Sequence, residues 1–268
     1  EAGKAYNFYF FAKTEKPLKL RVAVEADGKT VCETSFLVRG NGYIRYDAVL
    51  VSTVTTSDAR LVLSSEEGGE LKLGFISLMP ADTFNGHGLR RDIVEKLRDM
   101  HPTFLRFPGG CIVEGITPDT AMRFHNVIGP VWERPGHLLM WHYRTYNGIG
   151  YHEYLQLCED IGMEPLYVFN CGMTCQARCE VYFEGEELQA MIQDTLDAIE
   201  YAVGPADSEM GRLRAAAGHP EPFRMNYVEI GNENHGAGYE ERYMLCYNAI
   251  RERYPWMKFG ANTHVEEH

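Results

Sequence analysis

From about residue 80 onward, short apolar runs alternate with helix-length amphipathic segments, and that alternation leaves few folds open. The runs cover 103–107, 165–170, 227–230 and 258–263. Between them, Leu89, Ile93, Val94, Leu97 and Met100 fall at helical spacing, as do Leu188, Ile192, Leu196, Ile199 and Val203. Further helices are expected over 151–161 and 239–254. Strands separated by helices return to one parallel sheet through right-handed crossovers, and ligand chemistry then collects at the strands' C-terminal ends. The expected fold class is therefore α/β, a partial (β/α)8 TIM-type barrel over 81–268. Four such strands are countable, whereas closure takes about eight, so the chain is expected to hold the N-terminal part of a barrel and to belong to a larger protein.

Residues 1–80 read differently. Short runs near 6–12, 18–24, 43–49, 59–63 and 71–76 are separated by turn-forming stretches such as Asp27-Gly28 and Asn41-Gly42. The expectation is an all-β sandwich domain resembling a carbohydrate-binding module in architecture. Tyr6, Phe8, Tyr43 and Tyr46 are candidates for stacking on a sugar, and core packing is the preferred reading of them.

With 26 Lys plus Arg against 38 Asp plus Glu, a phosphate-backbone partner is disfavoured and a neutral ligand such as a sugar is favoured. No window reaches the roughly eighteen apolar residues of a membrane span, and no secretory signal pattern is present. Seven cysteines show no paired Cys-x-x-Cys spacing. Cys171, Cys175 and Cys179 form the nearest group; free thiols are the favoured reading, and neither metal nor cofactor is expected.

Two strand ends carry the candidate chemistry. In Tyr227-Val228-Glu229-Ile230-Gly231-Asn232-Glu233-Asn234, a buried strand delivers a carboxylate to a cleft, and Glu233 is the candidate general acid, its protonated form favoured by a partly apolar pocket. Strand alternation would send Asn232 and Glu233 to opposite faces, so both reach a ligand only where the strand ends or bulges. Earlier, Arg106 precedes Pro108-Gly109-Gly110-Cys111, and its guanidinium fork is suited to orienting a carboxylate. Cys111 and Glu114 follow on a loop over the same strand ends. Asn170, which ends the middle strand, and Trp141, with Trp132, Tyr143 and Tyr146 in the long, weakly periodic connection 111–148, are candidates to complete a pocket that stacks on and hydrogen-bonds a sugar.

The run from Thr103-Phe104-Leu105-Arg106-Phe107-Pro108-Gly109-Gly110-Cys111 through Glu114-Gly115, the run 227–234, and Gly218-His219-Pro220-Glu221-Pro222-Phe223 resemble the α-L-arabinofuranosidases of glycoside hydrolase family 51. That resemblance implies a retaining (β/α)8 glycosidase that releases terminal α-L-arabinofuranosyl groups from arabinan or arabinoxylan, without metal or organic cofactor. It assigns the acid/base to Glu233 and sugar binding to Asn232. Many members carry Asn where Cys111 stands here. The family's nucleophilic Glu lies on the seventh strand, later than the fifth-strand pattern that ends near 263, and Glu266 and Glu267 do not match its motif. A first barrel strand is expected ahead of the sandwich. The chain as given thus carries one carboxyl of the catalytic pair, and little activity is expected of it alone. The acid motif does not read the sugar, so an endo-glucanase or xylanase is an alternative, as is a non-catalytic carbohydrate-binding protein.

Overall fold

A computed structural model describes residues 1–263. The chain forms two compact units, the first ending at Lys96 and the second starting at Leu97.

The first unit contains six strands: β1 (Ala5–Lys13), β2 (Leu18–Ala26), β3 (Lys29–Val38), β4 (Ile44–Val51), β5 (Arg60–Ser64) and β6 (Lys72–Pro80). They make two three-stranded antiparallel sheets, ordered β4-β1-β6 and β3-β2-β5. Alternate residues of β1 and β2 point into the space between the sheets. Phe8, Phe10, Ala12, Leu20, Val22, Val38 and Leu50 fill it, with Phe36 and Tyr46 packed at its margin. Burying each large side chain contributes about 1.5–3 kcal/mol. Strand β3 was not among the expected runs, because its polar positions Glu33 and Ser35 dilute the pattern; the Asp27-Gly28 turn folds it back onto β2. Of the four aromatic candidates, Phe8 lies in the core and Tyr46 packs on it, while Tyr6 is half-buried and Tyr43 exposed. Helix α1 (Arg91–Asp99) spans the boundary between the units.

In the second unit, β7 (Phe104–Phe107), an intervening β-hairpin of β8 (His137–Leu138) and β9 (Arg144–Thr145), α2 (Tyr151–Ile161), β10 (Glu164–Phe169), α3 (Gly185–Val203), α4 (Glu209–Ala216), β11 (Tyr227–Ile230), α5 (Ala237–Arg253) and β12 (Lys258–Ala261) follow in order. The sheet is parallel and ordered β12-β11-β10-β7, so each strand lies beside its predecessor in the βα series, as in a barrel wall. Phe107, Tyr167, Phe169, Val228 and Ile230 point to one face and are buried. The paired positions Arg106 and Leu166, and then Val168 and Glu229, define the other face.

Helix α4 corrects the expected polar loop between α3 and β11. It eludes periodicity because its most buried long side chain is Arg214, which is fully buried. The guanidinium donates to the carbonyls of Tyr201, His219 and Pro220 at 2.6, 3.0 and 2.9 Å, tying the turn before β11 to the end of α3. The connection between β7 and α2 resolves into short 3-10 turns at Pro118–Thr120 and Phe124–Asn126 and the hairpin β8-β9.

Candidate active site

Beyond Ile230 the backbone leaves the extended region, with φ of +80° at Gly231 and +56° at Glu233. These two left-handed residues end the strand; Asn232 is buried, 3% exposed, while Glu233 is exposed just past the strand's C-terminal end. Gly231 is required on space as well as φ: a Cβ there would lie 2.3 Å from Asn234 Oδ1. A left-handed Glu costs about 1–2 kcal/mol. The turn holds it through the Asn232 amide, which donates to Asn234 Oδ1 at 2.8 Å.

Asn232 is fixed from two sides. Its Oδ1 accepts from Arg106 Nη2 at 2.9 Å and from the Gly110 amide at 3.1 Å. That leaves its side-chain amide hydrogens facing Cys111 Sγ, at 3.9 Å, and the Glu114 carboxyl. Arg106 also grips Glu229 through Nε and Nη2, both at 2.7 Å, and its pKa is raised chiefly by those hydrogen bonds. The stagger of the sheet makes this possible: Arg106 is level with Leu166, Glu229 with Val168, and the guanidinium spans the intervening strand. The fork does orient a carboxylate, but that carboxylate is Glu229. Arg106 therefore reaches the strand end through Asn232 as well as through Glu229.

The loop after β7 rises beside this turn. Gly109 and Gly110 adopt φ of +60° and +72°, and a Cβ on Gly109 would lie 2.8 Å from Arg106 Nη1. Cys111, 7% exposed, donates from Sγ to Glu233 Oε2 at 3.5 Å; burial pushes its thiol pKa up to about 12. Glu114 is 1% exposed, and its Oε1 accepts from Asn234 Nδ2 at 2.6 Å. Desolvation raises its pKa to about 7, against the opposing effect of the Asn234 and Asn232 amides. Its Oε2 has no hydrogen-bond partner among the described residues.

Asn170 is placed as expected at the end of β10 but is spent on backbone. Its Oδ1 accepts from the Gly172 and Met173 amides at 2.7 and 3.0 Å, and its Nδ2 donates to the Val113 carbonyl at 3.1 Å. At 2% exposure it pins two loops together. Trp141 is 45% exposed and stacked on Tyr143, ring centroids 6.3 Å apart and planes 21° apart. The preceding residue, Met140, packs against Cys111 and Cys175, which places this aromatic pair next to the strand-end cluster.

The Glu233 side chain is exposed. The neighbouring carboxylates are otherwise engaged, Glu229 with Arg106 and Glu114 with Asn234. Glu266 and Glu267 lie outside the described residues. Three neighbours escaped the sequence reading: Glu229 had a signal, a charge inside an apolar strand, whereas Gln176 and Arg178 lie on an irregular loop without one, the loop that also carries Cys175. Gln176 clamps the turn after Glu233, donating to the His235 carbonyl at 3.0 Å and accepting from its amide at 2.9 Å. Arg178 Nη1 reaches Cys175 Sγ at 3.2 Å and Cys111 Sγ at 3.5 Å. The arrangement presents one exposed carboxyl beside an amide pre-set by an arginine fork, with a stacked aromatic pair nearby.

The alpha-L-arabinofuranosidase 1 domain matches residues 96–268. Alpha-L-arabinofuranosidase 1 of Arabidopsis thaliana is 35% identical over 275 residues, covering 100% of this chain and 40% of that protein. The extracellular exo-alpha-L-arabinofuranosidase of Streptomyces chartreusis is 35% identical, covering 98% of this chain and 33% of that protein. Among solved structures, arabinose-bound MgGH51 α-L-arabinofuranosidase superposes with a TM-score of 0.88 at 30% identity, over 96% of this chain and 43% of its own. The chain thus spans about 40% of the length of the first of these curated relatives.

Proposed function

The chain belongs to the glycoside hydrolase family 51 α-L-arabinofuranosidases, and from that premise we propose that its full-length protein is a retaining exo-glycosidase releasing terminal α-L-arabinofuranosyl groups from arabinan- or arabinoxylan-type polysaccharides. In this reading Glu233 is the general acid/base. It protonates the leaving oxygen and then deprotonates the water that releases the sugar. A second carboxylate, outside this chain and about 5 to 5.5 Å away across the sugar, is the nucleophile. Asn232, its Oδ1 held by Arg106 and Gly110, offers its amide hydrogens to a sugar hydroxyl. Trp141 and Tyr143 supply a stacking wall.

The observation that carries the reading is the left-handed turn with Glu233 exposed and Asn232 buried at one strand end. A carboxylate serving only as a helix cap or ion-pair partner needs neither that backbone nor a neighbouring amide held by an arginine. The apolar surroundings that a general acid requires would then come from the remaining barrel strands and from bound sugar.

Glu233→Gln in the full-length enzyme tests it. Turnover of arabinan and alkyl arabinofuranosides, whose leaving groups need a proton, should fall about 10²- to 10⁴-fold, while the glycosylation step of activated aryl arabinofuranosides is spared. Equal losses of glycosylation rate on both substrate classes would remove Glu233 from the acid role. The α anomer seen first by NMR is the companion result expected of a retaining enzyme.

A further inference from the structure

We propose that Cys111, Cys175 and Glu114 form a binding site for a thiophilic divalent cation, foremost Zn2+, and that occupation of this site takes Glu233 out of its acid/base role. The inhibitory half rests on the function proposed above; the binding half does not.

The ligand atoms of these three residues all lie within 4.8 Å of one another, and all three side chains are buried. Ideal tetrahedral zinc with sulfur and oxygen ligands separates them by roughly 3.4–3.8 Å, so closing on an ion takes movements of about 1 Å. Two sulfurs and one carboxylate make a borderline-soft set that favours Zn2+ over Mg2+ or Ca2+. An independent observation points the same way. Glu114 is 1% exposed, and its Oε2 lacks a donor among the described residues although Oε1 is bonded to Asn234. A buried carboxylate oxygen without a donor is costly, and a cation would offset that cost. The site is also braced: Asn234 fixes Glu114, and the Cys175 amide donates to the Gly115 carbonyl at 2.9 Å.

One cation already competes for this place. Arg178 Nη1 sits 3.5 and 3.2 Å from the two sulfurs, on an exposed side chain that can swing into solvent. On binding, each thiol gives its proton to solvent and two S–Zn bonds form, with no change of oxidation state. Because Cys111 Sγ lies 3.5 Å from Glu233 Oε2, an ion held by that sulfur is within reach of the Glu233 carboxylate as a fourth ligand. A carboxylate bound to or beside a divalent ion no longer carries the proton that the leaving group needs.

The test uses the full-length enzyme with Co2+ and Zn2+ as probes. Titration with Co2+ should produce a thiolate-to-metal charge-transfer band that saturates at one equivalent more in wild type than in Cys175→Ser, and Zn2+ should displace it. Arg178→Gln should tighten Zn2+ binding about 3- to 10-fold by removing the competing charge, a gain that misfolding cannot mimic. Zn2+ should inhibit turnover in proportion to occupancy, reversibly with a chelator, and much less in Cys175→Ser measured against its own metal-free rate. No charge-transfer band in wild type, or an undiminished band in Cys175→Ser, would overturn the site. A band without inhibition in an active enzyme would overturn the coupling to Glu233. A band in an enzyme that cleaves no arabinofuranoside even without metal would instead refute the proposed function and leave the site standing.

Discussion

The sandwich core and the strand-end cluster are buried to the same degree and held together in opposite ways. Between the two sheets, Phe8, Phe10, Val22 and Val38 are at most 1% exposed and make only apolar contacts with their neighbours. At the strand end, Glu114, Asn232 and Asn234 are also at most 3% exposed, yet each is fixed by named hydrogen bonds. Apolar packing is non-directional and spread over many contacts. A polar network fixes geometry to tenths of an ångström but fails bond by bond, because a donor or acceptor left alone in the interior is penalised. Stability should therefore be the variable at risk in the first region, and catalytic geometry in the second.

The largest effect should come from opening the apolar region. Phe10→Ala removes a fully buried ring that touches Phe8, Phe36 and Tyr46, and it should destabilise the first unit by about 3–5 kcal/mol. Denaturant unfolding read on a probe in residues 1–96 measures this. In the fraction that remains folded, turnover per molecule should be unchanged; a loss of kcat there would show that the two regions are not separable in this way.

The buried acid gives a smaller effect with a definite sign. Glu114 has a folded pKa of about 7 against an ordinary 4.5, so between those values the folded state binds more protons than the unfolded one. Its contribution is therefore fully present below about pH 4.5 and is lost as pH rises through about 7, a change of at most about 3 kcal/mol. Unfolding free energy measured with a chelator present should fall over that window in wild type and be flatter in Glu114→Gln. A wild-type slope of the opposite sign would mean that the Asn234 and Asn232 amides outweigh desolvation.

The same contrast explains what was legible in the sequence. Alternation in β1 and β2 and the spacing of Leu188, Ile192, Leu196 and Ile199 report packing directly, because burial is a property of residue type and period. Strand β3 and helix α4 were missed where that correspondence breaks: polar residues punctuate β3, and α4 buries an arginine against carbonyl oxygens. In the candidate site, Glu233, Asn232, Arg106 and Cys111 can be singled out from sequence because they sit in or just beyond readable strands. Asn170 stands out for the same reason, but its strand-end position does not reveal that backbone amides occupy its oxygen. Cys175, Gln176 and Arg178 approach the cluster only through the fold of an irregular loop, whose path is set by bonds such as Thr174 to Val181 and Gln176 to His235.

The smallest effect on stability should accompany a clear effect on chemistry, and Arg106→Lys isolates it. An ammonium keeps the charge opposite Glu229, which is 13% exposed, but cannot donate along both edges of that carboxylate and also reach Asn232 Oδ1. Because Arg106 is itself about a third exposed, solvent screens the loss, and destabilisation of about 1 kcal/mol is expected. Asn232 Oδ1, however, keeps only the Gly110 amide among its donors in the described residues, and the side-chain amide hydrogens lose their set direction. The full-length enzyme should then lose kcat on the order of 10-fold with a smaller change in KM, as expected for an interaction that matters most at the transition state. A lowered Tm with unaltered kcat would reduce Arg106 to a structural ion pair and place the strand-end network in the same class as the sandwich core.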